Sequence, residues 1–159
     1  ASCSWNAVAS REDGGFKLEI ARLVVGEKDA LSQDFASYLQ FDDAPVVAEL
    51  VFRVTNDGGK TVSVYPDQGH VLVGSEQVNL LEYALAEFGD SFSGDILPGA
   101  KVVGGLWLGL KHTPLDQVKS MTVVFDGPHD ESFNRLGPDY QFDIDLAECR
   151  HDPLPDDLK

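Results

Sequence analysis

Two cysteines, Cys3 and Cys149, stand almost at opposite ends of a 159-residue chain. There is no Cys-x-x-Cys spacing and no Cys/His cluster, so a zinc site of the usual kind has no ligand set. The even count and the terminal placement favour a disulfide. Closing so long a loop would stabilise the fold by on the order of 5 kcal/mol in the chain-entropy picture. It would also pin two termini that otherwise fray. A rival reading makes Cys3 a lipid-bearing residue, since Ala1-Ser2-Cys3 would complete a lipoprotein processing box after an aliphatic residue. That processing leaves the cysteine first in the chain, so the disulfide is preferred. Both readings place the protein outside the cytoplasm: secreted, on the cell surface or periplasmic. A first residue Ala1 in place of Met fits a processed N-terminus.

The other reactive side chains form weaker patterns. The histidines, His70, His112, His129 and His151, fall in no HxH, HExxH or HxxxH spacing. Carboxylates gather at Asp42-Asp43, in the stretch holding Asp126, Asp130 and Glu131, and at Asp143 and Asp145. A calcium ion needs six to eight oxygens, which sandwich loops can supply, and Asp126, Asp130 and Glu131 are the best candidates. No segment has the ligand run of an EF-hand, and no other cofactor is implied. The serines have no GxSxG elbow and no neighbouring base. Gly104, Gly105 and Gly109 precede no helix start with Lys-Ser/Thr, so a strand bulge or close sheet packing explains them better than a phosphate loop. Trp107 and Tyr65 are candidates for an aromatic contact, with core packing as the alternative for Trp107. Trp5, two residues after Cys3, is expected to cover the disulfide or one end of the fold. No catalytic residue set emerges, and the expectation is a protein that is not an enzyme.

Charge narrows the partners. With 27 Asp and Glu against 12 Lys and Arg, the formal net charge is −15. The cations are scattered singly, so nucleic acid and anionic membrane surfaces are disfavoured. No stretch approaches the roughly 18 apolar residues of a spanning helix.

Period-2 alternation positions these residues. In 16–20, Phe16, Leu18 and Ile20 share one face; in 46–55, Ala48, Leu50, Phe52 and Val54 oppose Glu49, Arg53 and Thr55. Such strands have one dry and one wet face, as in an antiparallel sheet. Further strands are expected at 60–65, 71–73, 77–81, 101–111, 120–125 and 140–146, with turns such as Asn56-Asp57-Gly58-Gly59 between them. Residues 80–88 could form a helical turn or two, and 30–39 is the best candidate for a short helical insertion. The expectation is one all-β domain over 1–159, a sandwich or barrel of short antiparallel strands, with 151–159 as a flexible tail.

The segment 46–59, the hairpin 71–81 and the run Leu97-Pro98-Gly99 feeding a glycine-containing strand through Leu106-Trp107-Leu108 carry a resemblance. With Pro114 and the strand at 121–125, they resemble secreted and lipoprotein bacterial domains of unassigned function. Those domains have an immunoglobulin-like fold akin to the mycobacterial immunoprotective extracellular protein, which implies for this chain an immunoglobulin-like antiparallel β-sandwich of about 7–9 strands with a short helical insertion. The likeness covers roughly 16–125 and carries no functional residue. It implies a non-catalytic interaction or structural module of the cell surface or envelope, pairing with another protein or with itself. The alternative is a β-sandwich that binds a small ligand, carbohydrate or Ca²⁺ through loops at one end.

Overall fold

The computed structural model describes residues 1–28 and 44–159. The helical insertion expected at 30–39 lies outside the described residues. In chain order the strands are β1 (Ser2–Asp13), β2 (Phe16–Glu27), β3 (Val46–Asn56), β4 (Val62–Val64), β5 (His70–Val73) and β6 (Glu76–Asn79). A one-turn helix, α1 (Leu80–Tyr83), leads into β7 (Ala84–Gly89), β8 (Gly94–Ile96), β9 (Lys101–Leu110), β10 (Ser120–Phe125) and β11 (Tyr140–Asp145). A five-stranded sheet runs β1-β2-β3-β9-β7, a four-stranded sheet β11-β10-β5-β6, and β4 pairs with β8 apart from both. Every pairing between these strands is antiparallel.

Alternation selects which side chains close the sandwich. From the five-stranded sheet come Leu18, Ile20, Leu50, Phe52, Leu106 and Leu108; from the other come Val71, Val73, Met121 and Val123, all in one buried cluster. Phe52 stacks on Phe92 with ring centroids 5.1 Å apart, and Phe125 on Tyr140 at 4.6 Å, joining the cluster to the loops. Fully burying each of these large side chains contributes roughly 1.5–3 kcal/mol. The fold is the expected immunoglobulin-like antiparallel sandwich, but its eleven described strands exceed the 7–9 expected, because β1, β7 and β8 lie beyond the strands read from sequence.

The sandwich has two ends, set by the register of β3. Val46 lies across from Glu27 and Leu110 at one end, while Asn56 lies across from Phe16 at the other. Asn56 is fully buried and organises its end. Its side-chain amide donates to the carbonyls of Lys60 (2.7 Å) and Ile96 (2.9 Å), and its Oδ1 accepts from the Gly58 amide. The Gly99 amide donates to its carbonyl. One side chain therefore ties the turn after β3 to the turn before β9.

The C-terminal segment, expected as a flexible tail, is hydrogen-bonded to β1. The Ser4 amide donates to the Arg150 carbonyl at 2.7 Å, and the Asp152 amide returns to the Ser4 carbonyl at 3.1 Å. The Asp152 carboxylate accepts from the Asn6 amide, and Asp157 pairs with Arg53. The segment thus occupies part of the edge of β1, a row of groups that would otherwise be open to another strand.

Candidate functional site

At the first end, Cys3 on β1 is bonded to Cys149, with Cα atoms 5.3 Å apart and 146 residues between them in sequence. Trp5 is buried beside the bond and donates through Nε1 to the Glu148 carbonyl at 3.1 Å. Cys3, Trp5, Leu115 and Cys149 line a cavity of about 730 Å³ at this end. The expected pairing and the expected place of Trp5 are both present.

The carboxylates singled out in sequence do different jobs. Asp130 turns back on its own loop, where Oδ1 accepts from the amides of Ser132 and Asn134, each at 2.9 Å, and Oδ2 from the Asn134 side chain at 3.1 Å. Those hydrogen bonds, led by the one from the Asn134 backbone, hold its pKa below the usual carboxylate value. Glu131 is exposed, and Asp126 instead lines a groove of about 500 Å³ with Tyr65, His70 and Asp139. Asp126, Asp130 and Glu131 are not brought together. Among the described residues no group of three or more His, Cys, Asp or Glu side chains is placed to hold a metal ion.

The two candidate aromatics lie apart, Trp107 on the five-stranded sheet and Tyr65 just after β4. Trp107, on β9, faces outward and is half-buried, stacked on Phe88 at 4.7 Å. That stacking explains Gly105: a Cβ there would sit 2.5 Å from the Phe88 ring and 2.3 Å from the Leu50 carbonyl oxygen. Across the sheet Glu49 faces Trp107, and burial pushes its carboxyl up despite the opposing pull of Arg22. Tyr65 stands beside the four-stranded sheet in the groove with Asp126. No single aromatic strip results.

What the sequence did not single out is at the Asn56 end. The loop after β10 is pinned to β4 by reciprocal hydrogen bonds between Ser63 and His129, of 2.9 and 3.0 Å. His129 bridges in turn to Arg135, and the turn between them is closed by Asp130 N to Asn134 O (3.0 Å) and Phe133 N to Asp130 O (3.1 Å). At its tip Phe133 takes φ +62° and is 86% exposed. A left-handed backbone costs a side chain such as Phe about 1–2 kcal/mol. On the other side of β4, Leu97 is 61% exposed, and Leu136 adds a third apolar side chain at 38%. Large exposed apolar groups on a rigid support mark interaction sites more often than scattered ones do.

A second pair of groups lies elsewhere. Burial and a carboxyl–carboxyl hydrogen bond with Asp67 push Glu87 up to about 7, and Ser93 donates to the same Asp67. The pair joins β7 to the turn at Pro66–Gln68.

The fold and its disulfide define a class, an all-β sandwich tied across its termini, and no described helix is long and apolar enough to cross a membrane. No protein-family model and no curated protein sequence matches the chain. Solved structures do match. A functionally unknown protein from Listeria monocytogenes EGD-e is similar with a TM-score of 0.57 and 15% identity, covering 92% of this chain and 85% of that one. A Bacillus subtilis subsp. subtilis str. 168 protein, provisionally described as a lipoprotein, gives a TM-score of 0.50 at 13% identity. There the match covers 89% of this chain and 39% of that longer one. At such identities the likeness is one of fold.

Proposed function

We propose that the protein is a non-catalytic interaction module that works outside the cytoplasm, at the cell surface or in the envelope. One observation carries this reading: a turn cross-linked by its own Asp130 displays Phe133 at 86% exposure, at the backbone's expense. A turn whose backbone is fixed before binding loses little backbone entropy when a partner covers its aromatic side chain. The terminal disulfide supports the extracytoplasmic part, since such bonds persist in oxidising compartments. The fold-level likeness to bacterial proteins, one described as a lipoprotein, is compatible with it. Kinship with the mycobacterial immunoprotective extracellular protein belongs to this proposal and rests on the strand-and-turn pattern alone.

Native mass spectrometry of the protein isolated from the cells that make it tests the reading. The expected result is a stoichiometric complex with another protein or a second copy, the chain carrying its intact disulfide. A bare monomer under every mild extraction condition, or freely alkylatable Cys3 and Cys149 without reductant, would overturn it.

A further inference from the structure

We propose that the groove on the outer face of the four-stranded sheet binds a neutral saccharide, with the Tyr65 ring as its stacking platform. One row of the sheet runs through this groove. His70 on β5 lies directly across from Val124 on β10, and Val124 directly across from Gln141 on β11. All three alternate with buried residues and so face away from the core. Two strand spacings, about 10 Å, separate β5 from β11, which matches the reach of a disaccharide. Tyr65, Gln68 and Asp126 line the same cavity of about 500 Å³, a volume ordinary for a ligand site.

The turn that brings Tyr65 and Gln68 to this row is fixed in place. A Cβ at Gly69 would stand 2.2 Å from the Val124 carbonyl oxygen, so only glycine lets the chain after Pro66–Gln68 lie against β10. Ser93 donates to Asp67 within the turn, and the Leu80 amide donates to the Gly69 carbonyl at 2.9 Å. The Tyr65 ring just before the turn is 37% exposed.

The chemistry of the lining selects the ligand. The amides of Gln68 and Gln141 both donate and accept, His70 offers two ring nitrogens, and Asp126 accepts. Sugar hydroxyls, which also donate and accept, match that mixture. The negative face of an aromatic ring attracts the C–H face of a pyranose. An anionic ligand would find no Lys or Arg among the described lining residues and would meet a net charge of −15. A quaternary ammonium is held by a cage of several rings. Phe125 and Tyr140 are buried, so Tyr65 is the one exposed ring of the described lining. Asp139 is already paired with Arg135 at 2.7 Å, which weakens its pull on any other cation. An added peptide strand has no free edge here, since β10 is paired on both sides.

The test presents the disulfide-bonded protein with an array of neutral oligosaccharides built from glucose, galactose, mannose, xylose and N-acetylglucosamine, with trilysine and a sulfated disaccharide as charged probes. Calorimetry at low and high salt then gives the Kd of each ligand bound. At least one neutral saccharide is expected to bind. Tyr65→Ala should weaken it by about tenfold or more, as the loss of an anchor ring does, while Tyr65→Phe keeps the affinity. Gln141→Ala should weaken it several-fold. Tyr83→Ala removes a ring that is 59% exposed on α1, outside the groove, and should change nothing. Added salt should change nothing either, because the ligand is uncharged. Tyr65 and Gln141 are exposed, and an unaltered unfolding midpoint checks that these variants keep the fold. An array without a bound neutral saccharide overturns the proposal. So does an affinity equal in Tyr65→Ala, one lost in Tyr83→Ala, or salt-sensitive binding of trilysine or the sulfated disaccharide in place of the neutral sugars. Each of these outcomes leaves the interaction reading standing, since Phe133 carries it.

Discussion

Phe133 holds a conformation that suits Asn or Gly better than an aromatic residue. Phe133→Asn is expected to make the protein about 0.5–1 kcal/mol more stable in urea unfolding, because the left-handed strain is relieved and an exposed ring loses no packing. A loss of stability would mean that the ring packs against its own molecule. Glu87 behaves differently. Its carboxyl is raised from 4.5 to about 7, so between those values the folded state holds more protons than the unfolded chain. Stability is therefore fully present below about pH 4.5 as far as this group is concerned, and falls as pH rises toward 7. Burial of Glu49 adds in the same direction. The depressed carboxyls of Asp130 and Asp152 act oppositely, and their contribution disappears as pH falls through their lowered values. Denaturation midpoints should thus decline from pH 5 to 7, with a slope that Glu87→Gln flattens. Solvent access to Glu87 keeps its effect to on the order of 1 kcal/mol. A midpoint that rises across this window in the wild-type protein would contradict the assignment.

At the scale of elements, the disulfide holds β1 to the segment after β11. Replacing both cysteines (Cys3→Ala with Cys149→Ala) is expected to cost up to about 5 kcal/mol, read as a lower unfolding midpoint. An unchanged midpoint would mean that Trp5 and the hydrogen bonds to Ser4 and Asn6 hold the segment alone. Strand β3 was legible because its dry face, Leu50, Phe52 and Val54, alternates with Glu49, Arg53 and Thr55. Strand β1 was not. Its register shifts between Asn6 and Ala9, where Ala7 takes φ +50°, and its polar residues give no hydrophobic period. The run 80–88 was ambiguous because it is two things, a four-residue helix followed by strand β7. The pairing of Cys3 with Cys149 could be read from count and position. The Asp130 loop could be located by its carboxylates, yet its exposed ring could not, since nothing in a sequence distinguishes a phenylalanine at a loop tip from one in a core. Only the backbone hydrogen bonds that turn Asp130 inward show why Phe133 points out.

At the scale of the whole molecule, the two ends of the sandwich have different tasks. One is covalently closed and buries Trp5; the other is fastened by Asn56 and carries the exposed Phe133 and Leu97. Net charge acts over the whole surface, slowing self-association and favouring cationic partners. This division of labour reduces to one comparison, the Kd of the protein and its Phe133→Ser variant for the partner that co-isolates with it, measured by calorimetry. The account predicts the same disulfide-bonded fold and a Kd raised at least ~30-fold, the loss of an aromatic anchor contributing about 2 kcal/mol or more. Equal Kd values for the two proteins would contradict it.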